Sequence, residues 1–368
     1  MKFQNSLFIS FTFNQITAHN YRVIFFIKQY KMRWGPMKRI IILLIFGLAV
    51  SVSSCNSHKN EDITNIMDNS EEAVRDIIGN NAFLYYKNYN EATDFYERIM
   101  GFKNVFEFEG FAVIFQTTAT TFITVVNDNG RGMHTSDEPK TIAIALITDQ
   151  LDAWYEYALL QGMDIRNPPK PLGDSAHNGF LVTDPGGYIL EFEYFAPHDE
   201  NVKFMPLLNA SETIFSETEL VTERPAGLGF KASIYWLYHK DAKAAADFYR
   251  EVMGFSMLVE QPFSDIYTSS QTGYIGLVLD GVGIHNATHE KAVNVGFMTN
   301  DAQAWFDYLK EQPTFKLRTE ELFHEMDSAG NNLIDIVIGY DPDNYFIEID
   351  EYLNLDTNNI IRQELGMN

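Results

Sequence analysis

The chain has 368 residues, 46% hydrophobic and 14% aromatic, which excludes a mainly disordered protein and suits two domains of ordinary size rather than one. The formal charge of −23 understates the acidity: residues 1–54 hold seven Lys or Arg and no Asp or Glu, so from Cys55 onward 20 basic side chains face 50 acidic ones, a net of −30. Such a surface repels phosphate backbones, so no nucleic-acid partner is expected, and the charge serves chiefly to keep the protein soluble.

Residues 1–54 read as an address. Met37, Lys38 and Arg39 give a basic start, residues 40–50 an apolar run of signal-sequence length, and Val52, Ser53, Ser54 and Cys55 a small-residue cleavage site ending in the only cysteine. The run is shorter than the roughly 20 residues a transmembrane helix needs. The tetrad resembles a bacterial lipobox. That resemblance implies that Cys55 is lipidated, becomes the mature N-terminus and anchors the protein in the cell envelope, at an outer-membrane, periplasmic or surface face. A lone cysteine also leaves no internal disulfide. Because Met37 opens a complete signal of its own, residues 1–36 read as an upstream extension. Residues 55–80 form a polar tether. Its Lys59, Asn60, Glu61 and Asp62 resemble acidic export tags of bacterial surface lipoproteins and equally suit a solvated linker. A short helix is expected over 71–78, with folded sequence beginning near Asn81.

From there strand and helix alternate. Residues 94–102, Asp-Phe-Tyr-Glu-Arg-Ile-Met-Gly-Phe, return 153 positions later as 247–255, Asp-Phe-Tyr-Arg-Glu-Val-Met-Gly-Phe, so the chain is internally duplicated. Ala92, Phe95, Tyr96 and Ile99 share one helical face, with Asn88 or Asn90 to cap the start and Gly101 the end. Ala245, Phe248, Tyr249 and Val252 repeat that spacing behind Asp241. Leu151, Trp154, Tyr155 and Ala158 follow Asp149, and Ala302, Trp305, Phe306 and Leu309 follow Asn300. Apolar strands at 82–87, 141–147, 232–238 and 293–298 precede the four helices. Strand-like stretches at 111–116, 121–126, 180–183, 188–194, 274–279 and 346–349 follow them. The expected fold is α+β: four βαβββ units whose paired, cupped mixed sheets bury the face a single unit leaves bare. Units are expected to pair within residues 81–196 and within 230–352, as two tandem domains joined by a linker over 197–229, with a tail over 353–368.

The Phe-Tyr-x-x-x-Met-Gly-Phe element, occurring twice, and the hairpins at 184–191 (Asp-Pro-Gly-Gly-Tyr-Ile-Leu-Glu) and 341–348 (Asp-Pro-Asp-Asn-Tyr-Phe-Ile-Glu) resemble the vicinal oxygen chelate superfamily, which includes glyoxalase I, bleomycin- and fosfomycin-resistance proteins and extradiol dioxygenases. The resemblance covers both halves and is specific for fold rather than reaction. It implies a cup in which a divalent ion is held by ligands from the first and last strands of paired units. Matched by motif, the first-strand ligand falls on Asn81, and in the other units on Ile142, Ile234 and Val293. The last-strand ligand falls on Glu191 and Glu348. Shifting the register by one brings in Asn80, Thr141, Ser233 and Asn294, none a strong transition-metal ligand. His285 and His289, four apart in a loop, are the remaining metal candidates. His177 stands where family members place cup-mouth residues or, as readily, on a surface loop; His134, His198, His239 and His324 show no partner pattern.

Strand alternation places Phe83 and Tyr85 inward with Asn81, Trp236 and Tyr238 beside Ile234, Glu191 with Glu193, and Glu348 with Asp350. An aromatic wall opposite paired carboxylates suits a flat or cationic small organic molecule; filled cups with solvated strand ends suit the same residues. The expected function is a lipid-anchored, metal-poor small-molecule binder with a degenerate metal site. The alternatives are a divalent-metal enzyme of glyoxalase, lyase or dioxygenase type, and a surface interaction protein with closed cups. No catalytic residue and no cofactor is assigned.

Overall fold

The computed structural model describes residues 76–216 and 221–367, together with two short strands, Ile16–Ala18 and Tyr21–Val23, that pair antiparallel. Cys55, the apolar run at 40–50 and the tether up to residue 75 lie outside the described residues. The elements below belong to the unit Met67–Asn368.

Four units follow one another. Unit one is β1 (Ile77–Tyr86), α1 (Tyr89–Asp94, continued by a π-helical turn, Phe95–Ile99), β2 (Lys103–Phe108), β3 (Ala112–Thr118) and β4 (Thr121–Asn127). Unit two is β5 (Ile142–Ile147), α2 (Leu151–Leu160), β6 (Asp164–Asn167), β7 (His177–Thr183) and β8 (Ile189–Phe195), followed by α3 (Met205–Ala210). Unit three is β9 (Ala232–His239), α4 (Ala242–Asp247, with the π-helical turn Phe248–Val252), β10 (Ser256–Glu260), β11 (Ser264–Thr268) and β12 (Gly273–Leu279). Unit four is β13 (Val293–Thr299), α5 (Ala302–Leu309), β14 (Lys316–Leu317), β15 (Phe323–Met326), β16 (Asn332–Tyr340) and β17 (Phe346–Tyr352), followed by α6 (Asn359–Glu364). Of the helix expected over 71–78, residues 71–75 lie outside the described residues and Ile77 and Ile78 are in strand, because this end of β1 pairs with the end of β13. Asp241 caps α4 and Asp301, not Asn300, caps α5; Asn88 sits at the α1 cap position without accepting a bond there.

The fold class is as expected, but the pairing of units is not. One sheet runs β14-β16-β17-β13-β1-β4-β3-β2 and joins units one and four; the other runs β10-β11-β12-β9-β5-β8-β7-β6 and joins units two and three. The seams are antiparallel, β1 against β13 (Asn81 opposite Gly296) and β5 against β9 (Ala145 opposite Ile234). Burying a bare face requires a partner unit without saying which, and the seam strands β5 and β13 are buried along their whole length. The choice is made by tertiary bonds. The hairpin Tyr188 of unit two accepts from Tyr85 N (2.8 Å) and donates to Ala292 O (2.5 Å), bridging the two chains of the other sheet's seam. Tyr345 does the same for the opposite seam, between Tyr238 N (2.7 Å) and Thr141 O (2.8 Å).

The convex faces of both sheets share one core. Leu84, Tyr86, Ile144, Leu146, Tyr235, Leu237, Val295 and Phe297 meet Tyr96, Trp154, Tyr249 and Trp305 from the helices. The two sequence signatures bond to each other here. Asp184 of one hairpin accepts from the hydroxyls of Tyr86 and Tyr96 and from the N–H groups of Gly186 and Tyr188. Asp341 accepts from His239, Tyr249, and the N–H groups of Asp343 and Tyr345. A hydroxyl seam between the β3–β4 and β11–β12 turns adds Thr118 to Thr272 (2.7 Å) and Thr120 to Ser270 (2.9 Å).

The segment expected as a plain linker is packed. Phe204 and Leu208, beside and within α3, are buried against the concave face of the second sheet, and α6 places Ile361 against the concave face of the first. Each repeat thus ends on a helix that closes one end of a cup.

Candidate functional site

Side-chain parity is as expected along β1, β8, β9 and β17 and one residue off along β5 and β13, where Ile142 and Val293 face the core, and the company each side chain keeps is exchanged. Asn81, Phe83 and Tyr85 of β1 share their concave face, cup one, with Glu348 and Asp350 of β17. Trp236 and Tyr238 of β9 share cup two with Glu191 and Glu193 of β8. The aromatics and acids expected to meet within one repeat face opposite cups, because each sheet takes one unit from each repeat.

In cup one the acid is held. Asn294 donates to Glu348 Oε1 (2.8 Å) and accepts from Tyr85 OH (2.9 Å), which in turn accepts from Met133 N (3.3 Å). Val293, expected inward by motif, faces the core, and its neighbour Asn294 faces the cup. Burial pushes Glu348 up to about 7; Asn294 and Arg318 pull against that shift and Glu325 adds to it. Asp350 is pushed well above the usual carboxylate range, by burial first and by Glu348 second, and its Oδ1 has no partner. His134, which sequence gave no role, stands edge-on to Tyr85 (5.6 Å) and Phe346 (5.8 Å), bonds Glu138 through Nδ1 (2.7 Å) and keeps Nε2 buried without a partner. Burial lowers its pKa.

Cup two is arranged differently. Glu191 is partly exposed and pushed up to about 8, by burial first and Glu193 second, against the pull of His177 and Trp236. Glu193 pairs with His177 Nδ1 (2.6 Å), and its Oε2 is buried without a partner. That hydrogen bond raises His177 to about 9. The Trp236 ring lies on Gly276, where a Cβ would come within 2.0 Å of it, so only glycine lets the indole lie down. Trp236 favours the charged form of Glu191, yet its N–H makes no bond of normal geometry. His285 stands edge-on to Tyr238 at 5.2 Å with Nε2 unpartnered, repeating His134 on Tyr85. His289 is exposed beside Glu290. The loop pair therefore does not converge.

Apart from Glu191, the side chains at the matched ligand positions are engaged elsewhere or lack a donor. Asn81's amide is taken up by Thr124 in two bonds (2.8 and 3.0 Å), and Asn294's by Tyr85 and Glu348. Ile234 and Ala145 stand in the row of Glu191. Among the described residues no three His, Cys, Asp or Glu side chains gather in a way that could hold a metal.

Two solved structures share this architecture over most of their length. A glyoxalase I variant from Zea mays is 14% identical, with 79% of this chain and 95% of that one covered at a TM-score of 0.52. A candidate dioxygenase from Bacillus subtilis subsp. subtilis str. 168 is 15% identical, with 80% and 91% covered at 0.53. Both likenesses are of fold alone. No curated protein matches in sequence. A profile of the Glyoxalase/Bleomycin resistance protein/Dioxygenase superfamily matches residues 79–192 and again 232–349, each running from a first-strand position to a last-strand one. The doubled Phe-Tyr turn, the hairpin aspartates that bind it and the paired cups agree with that match, and the chain belongs to that superfamily.

Proposed function

We propose that the chain binds a small, flat organic molecule carrying a protonated nitrogen, and that cup two is the site. The observation that carries this reading is the pair Trp236 and Glu191: a partly exposed indole laid on Gly276 beside a partly exposed carboxyl that no described residue bonds with normal geometry. A ring stacked on Trp236 gains π contact, and a cation beside Glu191 gains charge pairing in a site of low polarity. Glu191 at about 8 holds its proton at neutral pH, and a bound cation favours the carboxylate. Binding therefore releases a proton. Titration calorimetry of a bound organic cation in two buffers of different ionisation enthalpy tests this. Net proton release at pH 7, lost in Glu191→Gln, is expected; binding without release, or binding indifferent to Glu191→Gln and Trp236→Leu, overturns it. The donor sets of both cups weigh against the divalent-metal enzyme reading.

The site is proposed to work from a lipid anchor in the cell envelope, with Cys55 as the modified residue and synthesis starting at Met37. The support is the sequence of residues 37–55. Mass spectrometry of the mature N-terminus is expected to find a diacylglyceryl group on Cys55, and Cys55→Ser to move the protein out of the membrane fraction. An unmodified Cys55 in membrane-associated protein contradicts it.

A further inference from the structure

The connector between the repeats carries a buried cation that no described acid meets. Arg224 is 4% exposed. Its Nε donates to Ser216 Oγ (2.5 Å), and its guanidinium lies 5.8 Å from the Phe102 ring and 6.0 Å from the Trp154 ring. Among the described residues no carboxylate lies within ion-pair distance of it, whereas buried Lys231 pairs with Asp149 and buried Lys291 bonds the carbonyls of Thr288 and Asp343. Burial lowers Arg224 to about 10, with Tyr157 opposing, so it stays charged at neutral pH. Leaving a buried guanidinium with one hydroxyl and two ring faces is costly unless something else meets its remaining N–H groups.

Arg224 lines a cavity of about 240 Å³. Phe102, Ile214 and Phe215 supply its apolar wall, Gln116, Thr117 and Thr213 its polar one, and Lys103, bonded to Glu364 at 2.8 Å, also lines it. The cavity depends on the signature turn. Gly101 has φ +62°, and a Cβ there would come within 2.6 Å of Ser216 and Thr222 and 2.9 Å of Arg224. Without a side chain at Gly101 the connector closes down on the turn and carries Arg224 to the cavity wall.

We propose that this cavity is a binding site for a small organic carboxylate with an apolar body, separate from both cups. A planar guanidinium fork matches a carboxylate in two parallel bonds, the rings take the apolar part, and the volume admits only a small ligand. Glu364 on the lining disfavours anions of higher charge. On a chain of net −23, an enclosed arginine that no described carboxylate meets is where an anion is held against the general field.

Calorimetric titration of the mature protein with benzoate, its neutral isostere benzamide, and inorganic phosphate tests the assignment. Benzoate is expected to bind about ten-fold or more tightly than benzamide, and phosphate to bind weakly. Arg224→Met is expected to abolish benzoate binding while keeping the fold, since it removes an uncompensated buried charge. Gln116→Glu keeps Arg224 and adds a carboxylate to the cavity lining; it is expected to abolish binding too, and it decides the matter should Arg224→Met not fold. Absence of benzoate binding to the wild type, benzamide binding equal to benzoate, phosphate competing as well as benzoate, or binding unchanged in Gln116→Glu would each overturn the proposal.

Discussion

Cup one and cup two present a pair of acids at equivalent positions, Glu348 with Asp350 and Glu191 with Glu193, and engage opposite members of it. Glu348 and Glu191 each sit one strand from the seam, beside Gly296 and Ala145. The seam position that is Asn294 in cup one is Ala143 in cup two, as their pairing with Phe83 and Trp236 shows. Glu348 therefore receives a hydrogen bond and Glu191 does not. For the second acid the roles reverse: His177 on β7 pairs with Glu193, while the equivalent position on β16, opposite Tyr352 as His177 is opposite Phe195, is Ile334. Duplication kept the carboxylates and reassigned what holds them. The accessible, unbonded acid of cup two is the one available to a ligand, and the sealed network of cup one is better suited to structure.

Both cups rest on equivalent knots around Asp184 and Asp341. Asp184→Ala and Asp341→Ala should each cost about 3 kcal/mol or more in urea unfolding at pH 7, because each strands several buried donors. A large loss in only one of them breaks the equivalence. Asp350→Leu, which removes an acid that nothing neutralises, should stabilise the protein by about 1–2 kcal/mol at pH 8, while Glu193→Leu strips His177 of its partner and should bring no gain.

The pH dependence separates the cups next. A carboxyl whose folded pKa is raised favours the folded state while protonated, so its contribution is fully present below the usual value near 4.5 and is lost as pH climbs through the folded value. Glu191→Gln should therefore flatten a loss of stability, on the order of 1 kcal/mol after allowing for its partial exposure, that the wild type shows between about 4.5 and 8. Glu348→Gln should flatten one that ends near 7. The same limits in both variants would contradict the difference between the cups. The smallest effect comes from exchanging the seam residues. Asn294→Ala should move Glu348 further up and cost about 1 kcal/mol, and Ala143→Asn should bring Glu191 down, both read from side-chain carboxyl shifts in an NMR titration.

What was legible in the sequence was local. Three-to-four spacing gave the helices, and two-residue alternation gave the faces of Phe83, Tyr85, Trp236, Tyr238, Glu191 and Glu348, because both patterns are properties of a single element. The partner of each unit was not legible: β5 and β13 are buried on both faces, so their apolar pattern is compatible with any neighbour. For the same reason the inward parity of β5 and β13 was set one residue off, on Ile142 and Val293, and Asn294, reached by a one-residue shift of register, took its place only opposite Phe83. Strands β2, β10, β11 and β16 lacked a clean signal in the sequence, and two of them, β2 and β10, carry a bulge. His134 and Arg224 lie in connections, where only tertiary approach gives a side chain its surroundings.

Native mass spectrometry of the mature protein, purified without chelator, shows which cup holds a ligand. A co-purified organic mass at one per chain is expected, lost in Glu191→Gln and Trp236→Leu and kept in Glu348→Gln. A stoichiometric transition metal, or an organic mass that follows Glu348 instead of Glu191, would contradict it.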